Sequence, residues 1–526
     1  MIENFPFYLS LILVIVFLVM IAEKIKVAYP ILLVLAGLFL SFIPAVPTIK
    51  IDPELIFILF LPPLLYEASW AISWKELWRW RRIIFSFAFV VVFFTAVCVA
   101  FISNYFIPGF SLALGFLLGG IVSPPDAVSA GAILKFVKVP RRMSSILEGE
   151  SLLNDASSLI VFRFALISVA TGQFIWQEAI LSFGWMIFGG LGIGLLIGLI
   201  FKYFHKLLPT NANMDVVITL VSPYLMYVVA EEFHCSGVIA VVSGGLFLSY
   251  RRFQIFDSNV RIKAVNVWES ICFILNGLIF ILIGLELPEI VNGLSTEGIQ
   301  LSNAIVYGVI ITFLLIVIRV ISSYMAVIVT LIAKNFITVA DDRNPGIKAP
   351  LLIGWAGMRG VVSLAAALSI PTHLENGTLF PHRNLILFIT FTVILITLLL
   401  QGLTLPYLIK KLNLKDPDEL YSKEDISIIL KKELANQALD YLNKNFPEKL
   451  NSNSFVSQLV NKYNLIQNTE GVTILDDETR QLYVQILQHQ RDWLLNKNRN
   501  KLILDEELVR EQLHYIDLEE AMIHPK

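Results

Sequence analysis

The sequence predicts an all-α polytopic membrane protein with about thirteen transmembrane helices and a helical cytoplasmic tail. Three observations carry this expectation. Hydrophobic residues fill 56% of the 526 positions and charged residues only 16%, and the mean hydropathy is +0.73, outside the range of ordinary water-soluble domains. Apolar runs long enough to cross ~30 Å of hydrocarbon recur from the first residues to about Lys411. Lysine and arginine then gather in every second connection between those runs.

In chain order the runs cover residues 5–23, 27–47, 53–72, 83–107, 111–137, 144–171, 177–204, 213–233, 236–250, 264–287, 301–334, 347–371 and 384–411, and the ninth is the shortest. The first run has neither a basic n-region nor a small-residue cleavage signature, so it reads as a retained helix rather than a leader. One set of connections holds Lys24 and Lys26, Lys75 to Arg82, Lys135 to Arg142, Lys202 and Lys206, Arg251 to Lys263, Lys334 to Lys348, and Lys410 to Lys415; the other holds Lys50 and Arg383. That asymmetry, 22 against 2, puts the N-terminus outside and the C-terminus in the cytoplasm. A missed or invented run would scramble the alternation, so the count is tested by the charges.

Residues 1–411 therefore read as the membrane domain and 412–526 as a charged cytoplasmic tail. Within the tail, Ser422-x-x-Asp425 resembles a helix start, and Ile426, Leu430, Leu434 and Leu442 recur on one helical face; Leu482, Ile486 and Trp493 suggest a second amphipathic helix. A small helical appendage that packs on itself or on a twin fits this pattern, and so does a domain that binds a regulator. The net charge of −2 offers no bulk electrostatic argument for nucleic acid. Cys98, Cys235 and Cys272 are too scattered for a disulfide framework or a C-x-x-C site, His205, His234, His373 and His382 lack ligand spacing, and no cofactor is expected. Asn376-Gly377-Thr378 is a glycosylation sequon in form only.

Function is carried by the ionisable residues inside the runs. A charged side chain at the centre of a span costs roughly 2.5–3.5 kcal/mol on the insertion scale, so such groups face a cavity or a partner. Here they are Glu67 in the third run, Asp126 in the fifth, Glu150, Asp155 and Arg163 in the sixth, Glu269 in the tenth, Arg319 in the eleventh and Arg359 in the twelfth. Arg163 and Arg319 read as partners of carboxylates or helix ends.

The fifth run contains Ser123-Pro124-Pro125-Asp126, and tandem prolines remove two backbone donors and leave the carbonyls of Gly120 and Ile121 without helical partners. A broken helix with free carbonyls beside Asp126 offers oxygen ligands to a hard cation. In the sixth run Ser151, Asp155 and Ser158 share one face at i, i+4 and i+7, with Glu150 and Asn154 alongside. Burial disfavours the bare carboxylate of Asp155, so a proton and a metal ion compete for it, and that competition is an exchange mechanism. The twelfth run carries Gly354-Trp355-Ala356-Gly357-Met358-Arg359-Gly360, a second break around one arginine. Glu150 is expected to pair with Arg359 as a structural ion pair, with Asp126 or carbonyl groups as the alternative partners. Breaks seven runs apart are what inverted or duplicated six-helix repeats with one spare helix produce. Gly190, Gly194 and Gly198 in the seventh run read as small-residue helix packing.

Leu61-Pro62-Pro63-Leu64-Leu65-Tyr66-Glu67, Ser123-Pro124-Pro125-Asp126, Gly149-Glu150-Ser151-Leu152-Leu153-Asn154-Asp155 and Gly357-Met358-Arg359-Gly360 together resemble, in order, the signatures of the monovalent cation/proton antiporters of the sodium/proton exchanger type, including their bacterial members. That resemblance implies thirteen helices in a dimerisation part and a mobile core, with the fifth and twelfth helices broken and crossing beside the ion site. It implies Asp155 as the essential carrier, Ser151 and Glu67 as ion ligands and Asp126 as part of the crossing. It also implies a homodimer in the plasma membrane serving pH and sodium homeostasis by alternating access, moving Na+, or K+ or Li+, against H+. An Asn154-Asp155 pair in place of two aspartates implies electroneutral one-for-one exchange, since Asn154 removes one titratable site. The chain departs from the commonest crossing motif by carrying Pro125-Asp126-Ala127, so any ligand from Pro125 is its carbonyl. A cation channel and an intramembrane aspartyl protease built on Asp126 and Asp155 are the competing readings.

Overall fold

The computed structural model describes residues 5–43, 53–137, 139–172, 176–335, 346–374, 377–414, 423–448, 454–468, 477–500 and 506–523. Ser422 and Asn376, which the sequence singles out, lie outside the described residues. Among the described residues there is no β-strand, only one isolated bridge between His373 and Leu379. Hydrocarbon offers no partner to a peptide group, so a chain this apolar satisfies its backbone within helices.

The helices are α1 (Phe5–Ile25), α2 (Tyr29–Ser41), α3 (Pro53–Ala71), α4 (Trp74–Phe85), a π-helical turn Ser86–Val91 that runs into α5 (Val92–Phe106), α6 (Leu112–Val122), α7 (Ala127–Leu134), α8 (Arg141–Thr171) and α9 (Trp176–Leu207). They continue as α10 (Ala212–Glu232), α11 (Gly237–Ile255), α12 (Ser258–Leu285), α13 (Leu287–Thr296), α14 (Leu301–Ala333), α15 (Lys348–Trp355), α16 (Val361–Leu368), α17 (Arg383–Ile396), a second π turn Thr397–Gln401 and α18 (Gly402–Leu412). The last four are α19 (Lys423–Asn445), α20 (Ser454–Asn468), α21 (Asp477–Asn500) and α22 (Glu506–Ile523). Nine of the described segments are long and apolar enough to cross a membrane, and Tyr29–Ser41 and Phe57–Ala71 are shorter apolar helices.

Local chemistry sets the ends. Ser111 accepts from the Leu114 N–H at 3.3 Å, Asn211 from Met214 at 2.9 Å and Ser236 from Ile239 at 3.3 Å, each opening a helix with a capping oxygen. Gly172 closes α8 with a positive φ that a side chain would resist. Between α9 and α11 the helices meet where Gly190 and Gly194 lie against the Ser236 and Ala240 carbonyls and Gly198 against Phe247, as the glycine spacing predicts.

The chain divides into two compact units, Met1–Asp416 and Pro417–Lys526. In the first, α8 contributes to all three large apolar clusters: Met143 and Leu147 to one, Phe162 and Ala165 to the second, and Leu152, Ala156 and Ile160 to the third. The helix that carries Asp155 thus packs into all three clusters. In the second unit α19 packs with α20 and α21 with α22, and Arg491 donates to Asp517 at 2.6 Å and Glu520 at 2.7 Å. The buried residues there include Ala435, Leu439, Leu487 and Val509, whereas Ile426, Leu430 and Leu434, like Leu482, Ile486 and Trp493, are exposed. The apolar periodicity of the tail therefore marks outward stripes, and a smaller residue, Ala435, allows the close packing on the covered side of α19.

Candidate functional site

The fifth run is α6 and α7 separated by Ser123–Asp126, and the twelfth is α15 and α16 separated by residues 356–360. In an unbroken helix the Asp126 N–H would donate to the Val122 carbonyl and the Ala127 N–H to that of Ser123. Instead Asp126 N–H donates to the Met358 carbonyl at 2.7 Å, directly across to the other break. Ala127 N–H donates to Ser151 Oγ of α8 at 3.1 Å. The carbonyls of Val122 and Ser123 are left over, and Arg359 takes them: Nε donates to Val122 at 2.8 Å and Nη2 to Ser123 at 3.2 Å. Nη1 donates to the Gly357 carbonyl in its own segment, and the Arg359 N–H donates to Thr397 Oγ1 at 3.2 Å in the second π turn. Gly360 lies so close to the Asp126 carboxylate that a Cβ would collide with it.

This corrects the expected ion pair. Glu150 does not pair with Arg359; both of its oxygens accept from the terminal nitrogens of Arg319 on α14. Glu150 is 1% exposed and Arg319 3%. The physical reason lies in the break: the prolines, with the diversion of the next two N–H groups, turn the surroundings of Arg359 into a nest of unpaired carbonyls, and a guanidinium fixed there satisfies them. Arg319, on an intact helix with no such carbonyls, needs the carboxylate. The reading of Arg319 and Arg163 as partners of carboxylates or helix ends is met by a carboxylate in both cases, Glu150 and Glu231. Sequence reasoning missed Thr397, which a polar residue within an apolar run could have flagged.

Asp126 is occupied as a helix cap: Oδ1 accepts from the Val128 N–H at 3.0 Å and Oδ2 from the Ser129 N–H at 3.1 Å and from its hydroxyl. Asn154 Nδ2 donates to the Pro125 carbonyl at 2.9 Å, while Asn154 Oδ1 is buried without a hydrogen-bond partner among the described residues. The neighbouring Ser157 hydroxyl anchors α8 to the first π turn through the Ala88 carbonyl. Asp155, 8% exposed, accepts no hydrogen bond from and pairs with no cation among the described residues; the charge it senses is the Asp126 carboxylate. Ser158 donates to the Asp155 main-chain carbonyl at 3.0 Å, so its hydroxyl is used locally.

The structure thus brings Asp155, Asn154, Ser151, Asp126 and Pro125 together on α8 and the break beside it. Glu67, half-buried on α3, has Glu269 and Lys135 as its electrostatic neighbours, and no hydrogen bond among the described residues joins it to Asp155. Tyr29 of α2 senses both Asp126 and Glu67. Chemically, a buried carboxylate without a fixed counter-charge is costly when bare and is relieved by a proton or a hard cation.

The chain was compared with known proteins. The family described as sodium/hydrogen exchanger, transmembrane, matches residues 10–411. The sodium, potassium, lithium and rubidium/H(+) antiporter of Bacillus subtilis (strain 168) is 35% identical over 389 residues, 72% of this chain and 57% of that protein, so this chain spans little more than half the length of that relative. The Na(+)/H(+) antiporter ApNhaP of Aphanothece halophytica is 35% identical over 396 residues, 74% of this chain and 70% of that protein. The sodium proton antiporter MjNhaP1 from Methanocaldococcus jannaschii shares the fold, with a TM-score of 0.61 at 19% identity, covering 78% of this chain and 99% of that one. With both breaks, the capped aspartate and the unpaired Asp155 falling inside the matched region, this chain belongs to the sodium/hydrogen exchanger family.

Proposed function

We propose that this protein is a secondary active transporter that exchanges Na+ for H+ by alternating access at Asp155. The observation that carries the reading is a buried carboxylate that has no counter-cation among the described residues, beside an amide oxygen, Asn154 Oδ1, that has no donor. A desolvated Asp155 binds either a proton or a cation, and Asn154 Oδ1, with the Ser151 hydroxyl a turn away, supplies neutral oxygen ligands. Asn154 cannot titrate, so one proton or one monovalent cation satisfies the site, and exchange is one-for-one and electroneutral. K+ and Li+ are further candidate substrates, as the printed name of the Bacillus subtilis relative suggests. Glu67 of α3, whose carboxylate Tyr29 senses together with that of Asp126, is a further candidate ion ligand.

The same reading takes the membrane unit as thirteen crossings in two inverted six-helix repeats plus one, in a homodimer, with the N-terminus outside and the charged tail, 412–526, in the cytoplasm of a cell whose plasma membrane it serves in pH and sodium homeostasis. The basic connections support that orientation. Capping of α7 by both Asp126 oxygens weighs against an aspartyl protease, which needs two carboxylates free to share a water.

The test is proteoliposome exchange with an imposed proton gradient. Asp155→Asn is expected to fold and to lose Na+-driven proton movement. Exchange at the wild-type rate by that variant would overturn the assignment, and a rate that follows an imposed membrane potential under symmetric saturating ions would overturn electroneutrality.

A further inference from the structure

We propose that the membrane unit holds one anionic phospholipid in a cavity between α4, the first π turn, α8, α14 and α15. The cavity measures about 910 Å³, within the range of roughly 300–1,000 Å³ typical of ligand sites. Its lining is two-faced. Arg79, Arg81, Arg82, Arg142 and Lys334 line one end, and no acidic residue is among the described residues that line it. Phe87, Val91, Ile146, Ala326 and Ile353 line the other.

The basic end lies at headgroup depth. α4 is amphipathic, with Trp74 and Trp78 43% and 59% exposed and stacked 6.2 Å apart, as expected of side chains at a membrane interface. Arg142 is in the first turn of α8 and Lys334 follows the last residue of α14, so both are also at helix ends. Arginine forks match phosphate oxygens, and basic residues at that depth attract anionic lipids. An acyl chain fills the apolar floor as no soluble anion can, and charge plus floor together select an anionic lipid over a zwitterionic one.

The floor reaches toward the ion site. Phe87 carries the Arg319 guanidinium 4.9 Å above its ring, and Ser323, another lining residue, donates to the Arg319 carbonyl at 2.9 Å. The occupant therefore presses on the layer that holds Glu150, about a turn and a half of α8 from Asp155.

The experiment uses the full chain, purified in detergent, stripped of lipid and titrated with dioleoyl phosphatidylglycerol or dioleoyl phosphatidylcholine. Retention is read by native mass spectrometry and thermal unfolding by fluorescence. One phosphatidylglycerol per chain is expected, raising the unfolding midpoint, with at least five-fold weaker retention of phosphatidylcholine. Arg81→Gln with Lys334→Gln should lower phosphatidylglycerol retention at least five-fold through the headgroup. Ala326→Trp should do the same by filling the floor with every charge in place, and it carries the test if the charge variant does not fold. Asp155→Asn should retain the lipid as the wild type does, which separates this proposal from the transport mechanism. Equal retention of the two lipids, displacement by millimolar inorganic phosphate alone, or wild-type retention by a folded charge or Ala326→Trp variant would overturn it.

Discussion

Replacing Glu150 with Gln leaves Arg319 charged and buried without its carboxylate. Both side chains are nearly sealed from solvent, at 1% and 3%, so water cannot compensate, and breaking one partner of such a pair costs about 3–5 kcal/mol. Among the described residues Arg319 Nε has no hydrogen-bond partner, and the guanidinium's other neighbour there is the Phe87 ring. Arg319→Gln should cost about as much, because a bare Glu150 is no better tolerated. The double replacement leaves no bare buried charge, so it should cost no more than either single change, and the coupling energy should be at least about 3 kcal/mol. The Arg359 guanidinium is committed to the Val122, Gly357 and Ser123 carbonyls and makes no hydrogen bond to Glu150 among the described residues, so a cycle between Glu150 and Arg359 should give a coupling below about 1 kcal/mol. The assay is denaturation in mixed micelles, following helical circular dichroism for the four proteins of each cycle. Strong coupling of Glu150 to Arg359, with weak coupling to Arg319, would refute the pairing.

Other substitutions test neighbouring contacts. Gly360→Ala should destabilise by about 1–3 kcal/mol through collision with the Asp126 cap, read as a lowered unfolding midpoint; an unchanged midpoint contradicts the packing. Ser151→Ala deprives the Ala127 N–H of its acceptor, should cost about 1–3 kcal/mol and should weaken Na+ dependence of exchange. Stability equal to wild type would show that this N–H has another acceptor. Arg163→Gln should change stability by no more than about 1 kcal/mol, since its pair with Glu231 is 39% and 26% exposed; a larger loss in the same denaturation assay would contradict a solvent-screened pair.

The two breaks were readable because Pro124, Pro125 and the glycines of residues 357–360 alter backbone chemistry itself, which acts wherever the chain goes. The choice between Arg319 and Arg359 as the partner of Glu150 was not readable. Both are single arginines in apolar runs, and what separates them is the route of two N–H groups, Asp126 to Met358 and Ala127 to Ser151, which depends on how distant helices cross. In the tail, periodicity identified helices but not which side is covered, because leucines lie on both sides of α19: Leu439 is buried with Ala435 while Leu430 and Leu434 are exposed.

The Asp126 to Met358 bond joins main chain to main chain. No side-chain replacement other than proline at 126 deletes it, so ordinary mutational scanning is blind to this seam. With the Arg359 bonds to the Val122 and Ser123 carbonyls it ties the two interrupted helices together, so a movement of one break relative to the other would have to carry both or break this main-chain bond and the two side-chain bonds. Replacing the peptide at 126 with an ester by semisynthesis would cut it while leaving every side chain in place.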